Sequence, residues 1–256
     1  MRPREEYERV RALLDQGFND CQVARTTGIP RGTIRQWRHE GPPGKYGGPR
    51  GKSCPICHEG DIEGSAYAYL LGIYLGDGYI VKHPNKDSYK LRVFLDQRYP
   101  GIIEECGHTI RIAFPTAARN VAFYQREGCI EVYSYWKHWP CVFPQHGPGP
   151  KHLREMRLEP WQEWIVAFHP ERLLRGLIHS DGWRGTNRVT RSLRNGPKRY
   201  EYPRYEFSNY SDHIRSIFCR ACDAYGVRWR YMNWNKISIA RRDDVAKLDL
   251  VVGLKH

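Results

Sequence analysis

Leu70-Leu71-Gly72-Ile73-Tyr74-Leu75-Gly76-Asp77-Gly78 is echoed 104 residues later by Leu174-Arg175-Gly176-Leu177-Ile178-His179-Ser180-Asp181-Gly182. In both copies small residues stand four apart, Gly72 and Gly76 in the first, Gly176 and Ser180 in the second. On a helix that spacing leaves one face without side-chain bulk, so two such helices can approach backbone to backbone. An Asp then ends each helix, and a Gly lets the chain turn away into a strand. Packed side by side, the two helices bring Asp77 and Asp181 together at one end. Carboxylates held that close repel each other unless cations lie between them, and hard divalent ions such as Mg²⁺ take oxygen ligands. The pair is therefore a candidate metal site suited to in-line phosphodiester hydrolysis. A single copy would read as a buried helix ending in an Asp-Gly turn; the repetition argues against that for two.

The segments that follow each copy repeat as well. After Asp77 come strand-like runs Tyr79–Val81 and Tyr89–Leu95, a helix near Ile102–Phe114, and a hairpin over Val121–Gln125 and Cys129–Ser134. After Asp181 come Trp183–Thr190 and Arg204–Ser208, a helix over Asp212–Tyr225, then Arg228–Tyr231 and Lys236–Ala240. Each half reads α-β-β-α-β-β-α. Trp161, Trp164 and Ile165 have the spacing of a further helix packed onto the second half.

The N-terminal segment is different in kind. Tyr7, Val10, Leu13 and Leu14 fall at helical spacing between Arg4 and Gln16, and Gly17 ends the run. A second helix over Asp20–Thr26 has Asn19 as its cap, Gly28 marks a tight turn, and Pro30 opens a third helix over Arg31–His39. Val23, Ala24, Ile29, Ile34 and Trp37 are spaced to pack the second helix on the third. This pattern resembles a helix-turn-helix, in which the third helix offers Arg31, Thr33, Arg35, Gln36 and Arg38 to bases and phosphates of a major groove. A helical hairpin that only packs on its neighbour is the alternative.

Charge points the same way. The 256 residues carry 41 Lys+Arg against 28 Asp+Glu, a formal net charge of +13, with 40% hydrophobic residues, enough for a core. Between Arg184 and Arg242 stand 14 Lys and Arg against four acids, and 184–199 holds Arg184, Arg188, Arg191, Arg194, Lys198 and Arg199 with no acid. With Arg228 and Arg230 these are candidate contacts to a polyanion, and Trp183, Tyr200, Tyr202 and Tyr205 lie among them. The longest apolar run, Tyr67–Leu75, is half of what a membrane span needs, and no apolar run follows the N-terminus as in a signal peptide. Eight scattered cysteines then read as reduced thiols in a cytoplasmic protein.

Residues 41–64 read as a linker whose stretch 41–53 holds a Gly/Pro-rich tether. After it, Cys54-Pro55-Ile56-Cys57 supplies half of the four ligands a structural zinc needs. Cys54 and Cys57 are thus candidate Zn²⁺ ligands, with a degenerate knuckle as the alternative. Cys219 and Cys222 share the spacing but fall on an amphipathic helix, where packing is the expected role. His138, His146 and His152 cluster in sequence as a candidate metal or acid/base group. No phosphate-loop or dinucleotide glycine pattern appears, so no organic cofactor is expected.

From about residue 65 to the end, the two motif copies and the elements after them resemble the LAGLIDADG homing endonuclease family in its single-chain, two-repeat form. The resemblance implies an α+β fold, a pseudo-two-fold pair of αββαββα repeats over 65–150 and 151–256, joined here to an all-α helix-turn-helix domain over 1–40. It implies a monomer that binds double-stranded DNA and cuts it with Mg²⁺. By residue, Asp77 and Asp181 match the motif's terminal catalytic acid, and the backbone carbonyls of Gly76 and Ser180 match the position that also contributes to the metals. The family keeps a basic residue after the last strand of each half, for which Lys137 and Arg241 are the candidates by topology. Leu75 and His179 stand where the family motif has its first, non-catalytic Asp. A helix-turn-helix joined to this fold is also similar to a branch of transcription regulators that bind DNA without cutting it, and an RNA-directed intron-folding factor is a further alternative.

Overall fold

The computed structural model describes residues 4–40, 54–57, 60–118, 121–194, 196–253 and 255; the expected tether over 41–53 lies outside them. The chain divides into two compact units, Met1–Gly60 and Asp61–His256. No helix among the described residues is long and apolar enough to cross a membrane.

The smaller unit holds α1 (Arg4–Asp15), α2 (Asp20–Thr27) and α3 (Arg31–Glu40). The Asn19 side chain accepts hydrogen bonds from the backbone N–H groups of Cys21 and Gln22 at 3.1 and 3.0 Å, and Gln22 Oε1 accepts from the Asn19 N–H at 2.9 Å. This reciprocal cap fixes where α2 begins and is worth about 1 kcal/mol. Gly28, at φ 69°, ends α2 in a left-handed conformation that few other residues adopt. Val10, Val23, Ile29, Ile34 and Trp37 then bury themselves against one another, with Tyr7, Leu13, Leu14 and Ala24 packed around them.

The larger unit runs α4 (Gly64–Asp77), β1 (Gly78–Lys82), β2 (Tyr89–Asp96), α5 (Pro100–Ala113), the one-turn α6 (Pro115–Ala118), β3 (Ala122–Arg126), β4 (Cys129–Trp136) and the one-turn α7 (Trp139–Val142). It continues with α8 (Pro160–Phe168), α9 (Pro170–Asp181), β5 (Gly182–Leu193), β6 (Gly196–Ser208), α10 (Asp212–Tyr225), β7 (Arg230–Asn233), β8 (Lys236–Ile239) and α11 (Arg242–Val252). All pairings are antiparallel, and the two four-stranded sheets have the same order, β1-β2-β4-β3 and β5-β6-β8-β7. The fold is thus α+β, with the αββαββα series present twice; the first half closes on the single turn α7 where the second has α11.

Period-two alternation gives each sheet one apolar and one polar face. Leu91, Val93 and Leu95 of β2 and Val132 and Trp136 of β4 are buried, while Lys90, Arg92 and Phe94 share the other face with Tyr133 and Tyr135. At the centre lies α4, buried along its length from Ala66 to Leu75, as an all-round apolar helix must be. Tyr67 shows how its polar atoms are settled: its hydroxyl donates to the Val142 carbonyl at 2.6 Å and accepts from Gln162 Nε2 at 2.6 Å.

One element is longer than its hydrophobic pattern predicts. Strands expected to stop at Thr190 and restart at Arg204 instead form one hairpin, paired from Gly182↔Phe207 out to Leu193↔Gly196. Its outer part is charged on both faces and so lacks the alternation that marks a half-buried strand, yet the backbone ladder pairs regardless of side chain. Only Tyr205–Ser208 of β6 pair with β8, so the rest of the hairpin is a two-stranded arm.

Candidate active site

The glycines of the repeated motif explain how α4 and α9 meet. A Cβ on Gly72 would stand 2.7 Å from both the Leu173 carbonyl and the Leu177 nitrogen, and one on Gly176 would run into the Tyr69 carbonyl. Backbone therefore packs on backbone at this crossing. One turn further on, Gly76 faces Ser180, whose hydroxyl is turned inward and donates to the Gly176 and Leu177 carbonyls at 3.2 and 3.0 Å. A Cβ on Gly76 would also lie 2.9 Å from Asp181 Oδ2. Gly76 thus leaves room first for the Ser180 side chain and then for the edge of the Asp181 carboxylate.

Gly78 and Gly182, which follow the acids, are needed for a different reason than a turn. Their φ angles are −93° and −98°, open to any residue. What excludes a side chain is crowding by the preceding helical turn: a Cβ would lie 2.8 Å from Tyr74 Cα in one case and 2.6 Å from Ile178 Cα in the other.

The electrostatics of the acid pair follow from this packing. Burial, then the negative charge of Asp181, pushes the Asp77 carboxyl up to about 7. Burial also raises Asp181, against a hydrogen bond from Asn209 Nδ2 to Oδ2 at 2.7 Å. Two cations act on both acids, Lys151 and Lys255. The Lys151 ammonium donates to the Tyr74 carbonyl, to that of Leu75 at 3.1 Å and to that of Gly76 at 3.0 Å, at the negative end of the α4 dipole. Burial brings this amine down to about 8, opposed by Asp77 and Asp181. Lys255 donates to the Gly182 carbonyl at 2.6 Å, and burial lowers it too. Lys151, at the junction of the two halves, and Lys255 are separated by the same 104 residues as the two acids, so one lysine returns to the end of each motif helix.

Those lysines hold the place for which topology had suggested Lys137 and Arg241. Lys137 stands exposed in the turn after β4, and Arg241 is exposed at the N-cap of α11. Lys151 comes after a further turn and loop beyond α7, so a count of strands stops short of it. The repeat distance was the signal that would have found both.

Divalent cations suit this donor set, one for each half: two carboxylates in mutual repulsion beside backbone carbonyls, all hard oxygen ligands. Asp77 and Asp181 would hold them. His179, beside the pair in sequence, faces elsewhere: it contacts the Tyr69 hydroxyl at 3.1 Å through Nδ1 and the Val252 carbonyl at 3.0 Å through Nε2, and burial holds it near 4, so it is neutral.

The predicted basic residues divide into two groups. Arg184 forms a two-pronged pair with Asp249 at 3.1 and 2.8 Å, because its register with Tyr205 sets it on the α11 side of the sheet. Arg228 is likewise taken by Asp244 at 3.0 Å, and Arg38 by Asp20 at 2.8 Å. Arg188 and Arg199 share Glu201 on one face of the arm, while Arg191 and Lys198 flank Tyr200 on the other. Arg194 and Arg230 are exposed, as are Arg31 and Arg35 on α3; Thr33 is half-buried, and the side chain of Gln36 lies outside the described residues. A cluster the sequence reading missed covers the polar face of the first sheet. Glu131, with its side chain 1% exposed, accepts from Lys90 at 2.7 Å, Arg92 at 2.6 Å and Arg126 at 2.6 Å, which hold its carboxyl down at about 2. The alternation of Lys90 and Arg92 with Leu91 and Val93 was the available sign.

Cys54 is buried and its thiol accepts the Cys57 N–H at 3.4 Å; burial pushes that thiol up. Cys219 and Cys222 are buried on α10, as packing requires. The three histidines do not form one group: His138 contacts Trp136 and Cys141, His146 the Tyr89 ring, and His152 the Tyr210 ring.

No family model matches the sequence, and no curated protein matches it. Among solved structures the chain is similar to I-DmoI in complex with DNA and Mn, with 15% identity over 75% of this chain and 98% of that one at a TM-score of 0.49. It is similar to the LAGLIDADG meganuclease I-AabMI bound to uncleaved DNA, with 10% identity, 71% and 81% of the two chains covered, and a TM-score of 0.45. It is also similar to full-length DUF199/WhiA from Thermatoga maritima, with 13% identity, 75% and 56% covered, and a TM-score of 0.45. These are likenesses of fold.

Proposed function

We propose that this chain is a LAGLIDADG-type endonuclease that binds double-stranded DNA at specific sites and hydrolyses its phosphodiester bonds with Mg²⁺. The observation that carries the reading is the acid pair at the meeting ends of α4 and α9, where Gly76 lies against Ser180 and Asp181 and the Asp181 charge acts on Asp77. Asp77 and Asp181 are the residues that hold the metal, with the Gly76 and Ser180 carbonyls as further ligands. When bound, the metal polarises the phosphate and lowers the pKa of a coordinated water. The chain's own residues supply the rest. Asn209 fixes the Asp181 carboxylate in one orientation through its 2.7 Å bond. Lys151 and Lys255 bring positive charge to the place where the scissile phosphates add negative charge. Lys137 and Arg241 are at most peripheral to this step, since both are exposed outside the acid pair's hydrogen-bonded surroundings.

DNA contact is assigned to the polar sheet faces and the basic arm of β5 and β6. Phosphate contacts there set affinity, and the exposed side chains of Arg191 and Lys198 are the candidates for base edges. The unit over 1–40 adds a second reader through Arg31, Thr33, Arg35 and Gln36 on α3, joined by the 41–64 linker to the repeats over 65–150 and 151–256. The chain acts as a monomer with an internal pseudo-two-fold, in the cytoplasm, where its eight cysteines stay reduced. A Zn²⁺ ion at Cys54 and Cys57 would need ligands beyond these two.

The test is selection of preferred duplex sites, followed by incubation with Mg²⁺ beside an Asp77→Asn, Asp181→Asn double variant. Cleavage by the wild type alone supports the reading. Tight, specific binding by both proteins with no nicking by either refutes the nuclease and leaves a DNA-binding regulator.

A further inference from the structure

The Gly76 carbonyl, the backbone ligand assigned to the first half's metal, is already engaged by the Lys151 ammonium at 3.0 Å. The same ammonium holds the two carbonyls before it, those of Tyr74 and Leu75, so all three of its donor positions point at the C-terminal end of α4. Tyr74 packs beneath its stem, with the ammonium 5.1 Å from the ring centroid. The charges that face Lys151 from neighbouring elements are Asp77 of α4, Asp181 of α9 and, as a repelling cation, Arg154. Its counterpart Lys255 donates to the Gly182 carbonyl, one residue past the second acid, lies 5.8 Å from the Tyr99 ring centroid, and shares its charge with Asp96 as well as the pair. The halves are therefore unlike: in the first, the ammonium bonds the carbonyl that would hold a metal, and in the second it bonds the residue after the acid.

We propose that Lys151 is a built-in counter-ion that occupies the first half's cation position, and that a divalent metal binds there only by displacing it. The inference rests on the metal-dependent reading above and adds to it an order: the second half fills first. An ammonium bonded to the Gly76 carbonyl and buried beside the acids would repel a dication bound by the same groups, because their charges interact through a partly desolvated site. Lys151 thus keeps the acid pair folded and compensated without metal, at the cost of metal affinity.

The experiment is Mn²⁺ binding to the full chain without DNA, followed by calorimetry and by the electron paramagnetic resonance signal of free Mn²⁺. Lys151→Gln, which keeps a donor but not the charge, should tighten the weaker of two binding steps by at least about tenfold. Lys255→Gln should tighten it less, and Lys151→Arg, which keeps the charge, should bind as the wild type does. Asp181→Asn abolishes binding in every background. Should Lys151→Gln lose its fold in far-ultraviolet circular dichroism, Lys151→Met provides the uncharged side chain with the stem retained. Unchanged or weaker Mn²⁺ affinity in a folded uncharged variant overturns the inference, and if such a protein is paired with a wild type that still cleaves DNA, the nuclease reading stands while the counter-ion falls. No Mn²⁺ binding by wild type or by the uncharged variants also overturns the inference, while cleavage of DNA with Mg²⁺ separately decides the nuclease reading.

Discussion

Replacing Gly72 by alanine tests the packing on which the acid pair depends. The added methyl would stand 2.7 Å from the Leu173 carbonyl, 2.7 Å from the Leu177 nitrogen and 2.9 Å from the Gly176 carbonyl carbon. Ordinary contacts at these atoms need about 3.5 Å, so α4 and α9 must separate by roughly 0.8 Å. All three neighbours are backbone, and no rotamer change relieves them. Overpacking of this kind costs about 3 kcal/mol, and the gain in helix propensity from Gly to Ala returns about 1 kcal/mol. The net loss is about 2 kcal/mol, or about 4–8 °C in the melting temperature of a unit of roughly 200 residues. Thermal unfolding followed by circular dichroism in metal-free buffer measures it. Because Asp77 lies five residues further along α4, the same displacement moves it relative to Asp181, so Mn²⁺ affinity should fall together with stability. A melting temperature within about 2 °C of the wild type, with unchanged metal binding, would show that the helices do not meet backbone to backbone.

Three further outcomes follow from the charges. The folded Asp77 carboxyl, at about 7, lies above its ordinary value of 3.8, so in metal-free protein its ionisation costs stability that is absent below about pH 4 and grows as pH rises to 7. Asp77→Asn should therefore equal the wild type near pH 4 and exceed it at pH 8 by up to about 4 kcal/mol in urea unfolding; a difference that does not grow with pH contradicts this. Glu131 has the opposite sign: held at about 2 by Arg92, Lys90 and Arg126, it stabilises above its ordinary 4.5 and loses that contribution as pH falls towards 2. Since its partners are partly exposed, Glu131→Gln should cost about 2 kcal/mol at pH 7, and the loss should vanish in acid titrations by pH 2. For the arm, replacing Arg188, Arg191, Lys198 and Arg199 together by Gln should lower the slope of log affinity against log salt by about 3 to 4 on a duplex site, whereas an unchanged slope would take the arm out of the interface.

Much of the fold is legible in the order of the amino acids. The helices of the smaller unit could be placed because their determinants are local: Asn19 and Gln22 close a cap within four residues, and Gly28 ends the helix it follows. The repeat of the Gly72 and Gly176 motifs declared the two halves, since small residues at helical spacing have few other uses. The strand alternation around Leu91 and Val93 showed which face is buried. The arm was read short because its charged faces carry no such alternation.

The amino-acid sequence by itself determined the doubled αββαββα order, the pairing of Asp77 with Asp181, and the excess of positive charge. Those follow from local propensity, periodicity and composition, which any stretch of chain carries with it. Only the tertiary structure decided which cations serve the acids and which are spent elsewhere. Lys151 and Lys255 reach the pair from 74 residues down the chain, while Arg184 and Arg228 turn away to Asp249 and Asp244. An ion pair is set by distance and burial in three dimensions, and a long basic side chain has no periodicity that announces its partner.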